Sequence, residues 1–538
     1  METQKPLERE MDPKSGAIRT AGMLELLALV AALVCALAFV YTSLTTTNYI
    51  DPKLYEGQHI LAKADPILLN LAVTLVVLAL FRALRITRLP DWFVRSASIV
   101  LLAALALIGV VWSLLMKAVP ISDQDVLFTS ALSLVKGDPS ALQNTTGYEY
   151  FYFVRFPYQL GYLSCLETVM RLLGEQGTLI AVPIFNVLLL VSGYGALLLT
   201  TQRLFDDNRI TFLTLLLLCV CVQPILACTW IYGLIPALSF SLWSVYFAVR
   251  FLQNGKKREI PFFVLFAALA VYMKPNAWIV AAAVAITLLL QALKARGWKS
   301  LVAAVILLGM CVPLPKIVQA TYEDRIGVSF GKGYPMSSWM AMGMRDSWMA
   351  AGWYNGYSKE MYYTYGTDLE AISERNRKDI AESVQGFADD PKGAYDFYQE
   401  KFASQWNEPT LESIWVSVVC DSYGERGKLA QSIYDGRWPG VVLEEAMGYV
   451  QQIVYVGFAL SLLILLRKRS VEQLILPIAI VGGVLFHLLF EANSKYALSY
   501  LPLFLPYAAY GALAFGVNPR PWFVKDRDGA KKAAEESI

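Results

Sequence analysis

Uncharged apolar runs recur along this chain, and two kinds of polar connection lie between them. The runs fall at 23–45, 66–81, 96–116, 179–200, 210–229, 232–252, 260–272, 277–293, 301–320, 449–466, 474–490 and 498–517. A helix needs about 20 residues to cross a bilayer core. The pattern therefore predicts an all-α polytopic membrane protein with about twelve transmembrane helices. The polar, charged stretch before the first run is longer than a signal peptide's, so that run is expected to be a retained helix.

One kind of connection is short and basic. It carries Arg82, Arg85, Arg88 and Arg95, then Arg203 and Arg209, then Lys256, Lys257 and Arg258. Lys294, Arg296 and Lys299 follow, then Arg467, Lys468 and Arg469, and a basic tail with Arg520, Lys525, Lys531 and Lys532. Positive side chains are retained on the cytoplasmic side. Both termini are thus expected inside a plasma membrane, and four other segments on its outer face. These are the long loop 117–178, the turn at Lys274, the polar region 321–447 and the loop at Glu491. The expected organisation is a tail at 1–22, two helices within 23–95, a membrane core at 96–320, an extracytoplasmic domain at 321–447, closing helices at 448–517 and a tail at 518–538. The extracytoplasmic domain is expected to be small and mainly helical, with 369–402 its clearest helical stretch.

Composition sharpens this. Hydrophobic residues make up 56% of 538 and charged residues 17%, where a soluble chain carries about 25% charged. Mean hydropathy is +0.46. A net charge of +2 gives no reason to expect a nucleic-acid partner. Five of the seven cysteines, Cys35, Cys219, Cys221, Cys228 and Cys311, fall in or beside apolar runs and read as small core residues. Cys165 and Cys420 lie in the long loops, and spacing gives no support for pairing them. With two histidines, His59 and His487, and no zinc-type cysteine spacing, no cofactor is expected. Paired carboxylates beside a phosphate would admit Mg²⁺ alone.

The candidate chemistry starts just past the third run. Val126, Leu127, Ala131, Leu134 and Val135 recur at helical spacing and predict an interfacial helix with Asp123 and Asp125 at its start. Acids there are ordinary, because a helix N-terminus attracts them. A carboxylate so placed can also take the proton of an attacking hydroxyl. Farther along, Arg155, Tyr158 and Gln159 lie in an aromatic stretch that would suit the interfacial belt, yet bring groups able to hold a phosphate or sugar. Lys274 precedes a proline at an outer turn; it reads either as a snorkelling lysine or as a phosphate ligand. Glu491 and Lys495 read either as a local pair or as substrate groups, with Tyr496 beside them. His487 reads as packed against a neighbouring helix, and Glu408 before Pro409 as a turn. Trp339, Trp348, Trp353, Tyr354 and Trp406 read mostly as a core, although each could stack on a sugar.

Taken together, Asp123, Ala131, Gly137 and Asp138, then Phe156, Pro157, Tyr158, Gln159, Leu160 and Gly161, resemble the first outer loop of bacterial GT-C glycosyltransferases. The likeness is to the branch related to protein mannosyltransferases and lipid A aminoarabinose transferases. Met273 to Ala277 resembles that family's Lys-Pro element. Glu491 to Tyr496 resembles its late Glu…Arg-Tyr element, with Lys495 in place of arginine. The resemblance implies a GT-C-like fold and a polyprenyl-phosphate-linked sugar as donor. It implies inverting transfer to a hydroxyl of an envelope glycan, lipid or protein, on the outer face. It also implies a catalytic base at Asp123. The family often has a second acid directly after the first. Here Gln124 holds that place and Asp125 follows, so the choice between Asp123 and Asp125 stays open. Arg155, Tyr158, Gln159, Lys274, Glu491, Lys495 and Tyr496 would bind substrate. The alternatives are a flippase for a lipid-linked glycan, which would need ionisable groups deep in several spans, and a non-catalytic scaffold.

Overall fold

The computed structural model describes residues 13–50, 60–84, 89–295, 297–415 and 425–515. His59, Arg85, Arg88, Arg296, Cys420 and the tail at 518–538 lie outside the described residues. The chain is an all-α, multi-pass membrane protein. Among the described residues eight helices are long and apolar enough to cross a membrane, or nine if one bent pair counts as a span. Two shorter apolar helices, Ile67–Ala83 and Leu501–Ala514, coincide with the second and last apolar runs. Leu68, Ile99, Leu107 and Val305 are exposed on peripheral helices, as lipid-facing residues are. The Leu234–Asn254 helix is buried along most of its length and forms the centre of the bundle.

The helices depart from the apolar runs where prolines interrupt them. The 210–229 run folds as Asn208–Val220 and Gln223–Thr229, bent by 48°. Pro224 opens the second piece, and its ring cannot continue the helix before it. The chain then unwinds at Trp230 and restarts only at Leu234. Pro313 likewise separates Trp298–Cys311 from Pro313–Ile326. The Leu160–Phe205 helix starts inside the long loop 117–178 and breaks at Gly174.

Between 321 and 447 the described residues are mainly helical. The expected helical stretch at 369–402 is two helices, Leu369–Asp389 and Pro391–Trp406. Asp368 caps the first by accepting from the N–H groups of Glu370 and Ala371. Asp390 caps the second, whose first residue is Pro391. Trp353 and Trp406 are fully buried, as core residues. The next span begins at Trp438 and runs to Leu465.

The first helix, Pro13–Thr45, packs against Trp438–Leu465, Trp278–Ala295 and Ile475–Leu489. After it, strands Thr46–Ile50 and Ile60–Ala64 pair antiparallel, with Thr46 opposite Ala64. Asn407 Nδ2 donates to the carbonyls of Thr42 (3.2 Å) and Thr46 (2.6 Å), and Asn48 N–H donates to the Asn407 carbonyl (3.2 Å). The first span is therefore tied into the body of the protein. Several helices carry basic residues at one end and candidate site residues at the other. Arg258 and Lys274 flank one such helix, and Lys294 and Lys274 another.

Candidate active site

The unwound segment Trp230–Tyr232 is the floor of the site. The two rings stack 4.6 Å apart at 16°. The Asp123–Val135 helix grips this segment twice. Gln124 Oε1 accepts from the Ile231 N–H at 3.0 Å, and Asp123 Oδ2 accepts from the Tyr232 hydroxyl at 3.2 Å. Ser122, just before that helix, has φ 50° and ψ −124°. A residue with a side chain holds such a backbone only at a cost of about 1–3 kcal/mol, and strain of this kind gathers at functional sites.

Lys274 approaches the same hydroxyl from another side. Its Nζ donates to Tyr232 Oη at 2.7 Å and lies 4.0 Å from the centre of that ring. Close backbone packing puts it there. A Cβ on Gly233 would fall 2.1 Å from the Met273 carbonyl oxygen, and one on Gly161 would fall 2.3 Å from the Tyr272 carbonyl oxygen. Gln159 completes the arrangement. Its Nε2 donates to Tyr232 Oη and to Tyr152 Oη, the latter at 3.1 Å. The proton inventory closes: the Tyr232 hydroxyl accepts from Lys274 and Gln159 and donates to Asp123. Burial pushes the Tyr232 phenol well up, so it stays a donor. Burial pushes Lys274 down to about 8, while Asp123 and Glu491 pull it back up and Lys495 pushes it further down.

Glu491 and Lys495 come from the connection after Ile475–Leu489. Gly343 backs that connection: a Cβ there would fall 2.3 Å from the Phe490 carbonyl carbon. The Ala492 N–H donates to the Gly352 carbonyl at 2.9 Å. Burial pushes Glu491 up to about 7, Lys495 pulls it back, Asp123 raises it and Lys274 lowers it. Lys495 does not pair with Glu491 as a helical neighbour. Its Nζ lies 3.7 Å from Glu412 Oε2 and 5.9 Å from the centre of the Trp230 ring. The connection is a 3-10 helix, Ser494–Ser499, whose geometry does not bring i and i+4 side chains together as an α-helix would. Tyr496 stacks on His487 at 5.3 Å. The partner of His487 Nδ1 is the Glu491 carbonyl at 3.2 Å, just past its own helix, and not a neighbouring helix.

Arg155 sits deeper. It is 3% exposed, with its guanidinium 3.7 Å from the Phe151 ring centre and 4.8 Å from that of Phe156. Its Nη1 donates to Ser358 Oγ at 3.2 Å. Its Nε and the Gln159 Oε1 are buried and have no hydrogen-bond partner among the described residues. Asp123, Glu491 and Arg155 are the charges acting on Tyr158. The structure thus gathers Asp123, Tyr158, Gln159, Lys274, Glu491, Lys495 and Tyr496 into one neighbourhood, with Arg155 at its back. Asp125 is not among them. It is exposed on another face of its helix, where burial and then Glu149 raise its pKa. Among the described residues no group of three or more His, Cys, Asp or Glu side chains could hold a metal ion.

Sequence reasoning missed Trp230, Tyr232, Gln124, Glu408, Glu412 and Ser494. For Trp230 and Tyr232 the signal was present: Pro224 and Gly233 bracket a run too interrupted for a plain span. Glu408, read as part of a turn, is fully buried and accepts from Thr410 N–H at 2.8 Å, Thr410 Oγ1 at 2.6 Å and Glu412 N–H at 2.8 Å. No protein-family model matches the chain, and no curated protein matches it.

Proposed function

We propose that this chain is an inverting, GT-C-like membrane glycosyltransferase with about twelve spans. It moves a sugar from a polyprenyl-phosphate carrier to a hydroxyl of an envelope glycan, lipid or protein on the outer face of the plasma membrane. The observation that carries this reading is the shared Tyr232 hydroxyl, which joins the Asp123 carboxylate to the Lys274 ammonium. A base and a cation are thereby held together at one end of the helix bundle, where an acceptor hydroxyl and a lipid phosphate can meet.

In the proposed step, Asp123 takes the proton of the acceptor hydroxyl as its oxygen bonds to the anomeric carbon. The bond from that carbon to the phosphate oxygen breaks on the opposite face, and its electron pair leaves with the polyprenyl phosphate. The configuration inverts. Lys274 and Lys495 stabilise the negative charge that develops on the leaving phosphate. The buried lone pair of Gln159 Oε1 is placed to accept from a sugar hydroxyl, and the Nε–H of Arg155 to donate to a sugar or phosphate oxygen. Tyr158, Glu491 and Tyr496 line the same space, and Glu491 offsets the two lysines when no phosphate is bound.

The test is turnover of a panel of polyprenyl-phosphate sugars by the full-length protein in lipid, with envelope extract as acceptor. A positioned general base contributes on the order of 10²–10⁴-fold. Asp123→Asn should lose that much turnover while staying folded, and Asp125→Asn should stay within severalfold of the parent. Loss in Asp125→Asn with activity kept in Asp123→Asn would transfer the base to Asp125. No turnover of any donor would remove the transferase reading.

A further inference from the structure

The segment 407–415 is buried throughout, although it carries two glutamates. Leu411 and Glu412 are consecutive residues at φ 49° and φ 54°, a left-handed conformation that costs side-chain-bearing residues energy. Gln223 Nε2 holds the segment from below by donating to the Pro409 carbonyl at 2.8 Å. The strained turn aims both carboxyls at one hydroxyl. Ser494 Oγ lies 3.0 Å from Glu408 Oε2 and 3.1 Å from Glu412 Oε1, and all three residues are buried.

Proton counting makes this informative. A serine hydroxyl has one proton to give, and ionised carboxylates only accept. With both glutamates ionised, one of the two contacts would press lone pairs together in a buried setting. Both contacts are hydrogen bonds only when one carboxyl carries a proton. We propose that Glu408, Ser494 and Glu412 form one proton-sharing unit, whose single proton sets the charge beside Lys495 and makes Glu412 the positioning residue for that ammonium.

The surroundings say where the proton resides. Glu412 Oε2 lies 3.7 Å from the Lys495 ammonium. Among the described residues no Lys, Arg or His forms an ion pair with Glu408. Burial pushes it up to about 7, hydrogen bonds from Thr410 and Glu412 N–H pull it back, and Glu444 of the Trp438–Leu465 helix raises it further. Glu412 also faces Tyr496. Gln223 brings an uncharged amide. With the proton in place, Glu412 and Lys495 balance and Glu408 is neutral. Once it is lost to solvent, a second negative charge lies behind Lys495, and an incoming phosphate meets a weaker positive field. That last consequence rests on the phosphate role proposed for Lys495; the shared proton does not.

Infrared difference spectroscopy on the full-length protein in lipid, titrated from about pH 5 to about pH 9, reads the carbonyl stretch of a protonated carboxyl directly. The expected result is a band lost near neutrality that is missing from Glu408→Gln. In Glu412→Gln it should titrate lower by on the order of one pH unit, because a neighbouring negative charge has gone. Glutamine at 408 leaves the Glu412 N–H without an acceptor, so if that variant does not fold, the shift in Glu412→Gln decides alone. A band unchanged in both variants would overturn the proposal. Polyprenyl phosphate is the probe for the second half. Its Kd should rise through the same pH range more steeply in the parent than in Glu408→Gln, a comparison that cancels the ligand's own titration. A titrating band with identical Kd profiles would overturn the positioning of Lys495 and leave the shared proton standing.

Discussion

At the scale of single residues the site turns on Tyr232, whose hydroxyl has every hydrogen-bonding capacity assigned. Any phosphate that draws Lys274 toward itself must reorganise this contact, and its affinity reports on the ammonium. A hydrogen bond to a charged group is worth about 1.5–3 kcal/mol, or about tenfold to hundredfold in affinity. Lys274→Met should therefore raise the KM for a polyprenyl-phosphate sugar by about that factor. Steady-state kinetics checks this, and an unchanged KM would remove Lys274 from the phosphate site. Asp123, Gln159 and Lys274 were legible in the sequence because polar residues stand out beside apolar runs. Tyr232 was not, since a tyrosine next to a span is what the interfacial belt supplies anyway. Glu408 was hidden for another reason. Burial is not written in a local pattern when the residues packed on a segment come from distant parts of the chain, as Asn48 on Asn407, Gln223 on Pro409 and Ser494 on Glu408 do.

At the scale of elements, the site exists because helices stop. The second piece of the bent pair stops at Thr229 and leaves Trp230–Tyr232 outside any helix, and the break at Lys274 points a lysine at it. Glycine lets the two breaks touch. The Gly233 Cα packs so closely on the Met273 carbonyl that one methyl group would collide with it. Misplacing a reacting group by about 1 Å costs on the order of 10²-fold in rate. Gly233→Ala should lower transfer by about that much with circular dichroism unchanged; parent-like transfer would mean that this packing does not set the position of Lys274. Apolar periodicity located most spans, because the bilayer demands it of each one separately. The breaks were less legible, because a proline marks where a helix can end but not where the freed segment goes.

At the scale of the whole molecule, the helices share a polarity. Basic residues mark one end, and the Asp123, Lys274 and Glu491 cluster lies at the other. The first span belongs to the same body, through its packing on Trp438–Leu465 and the hold of Asn407 on Thr42 and Thr46. Its apolar run announced a helix but carried no sign of those partners, which are more than 360 positions away. The proposed event, displacement at a sugar carbon with a lipid phosphate departing, would use the carboxylate and two lysines gathered at one end. The most direct measurement is the anomeric configuration of the product bond, read by NMR after a single turnover of a polyprenyl-phosphate sugar of known configuration, with Asp123→Asn run alongside. Inversion in the parent, with no product from Asp123→Asn, is the predicted result. Retention, or equal product from the variant, would contradict a direct displacement driven by Asp123.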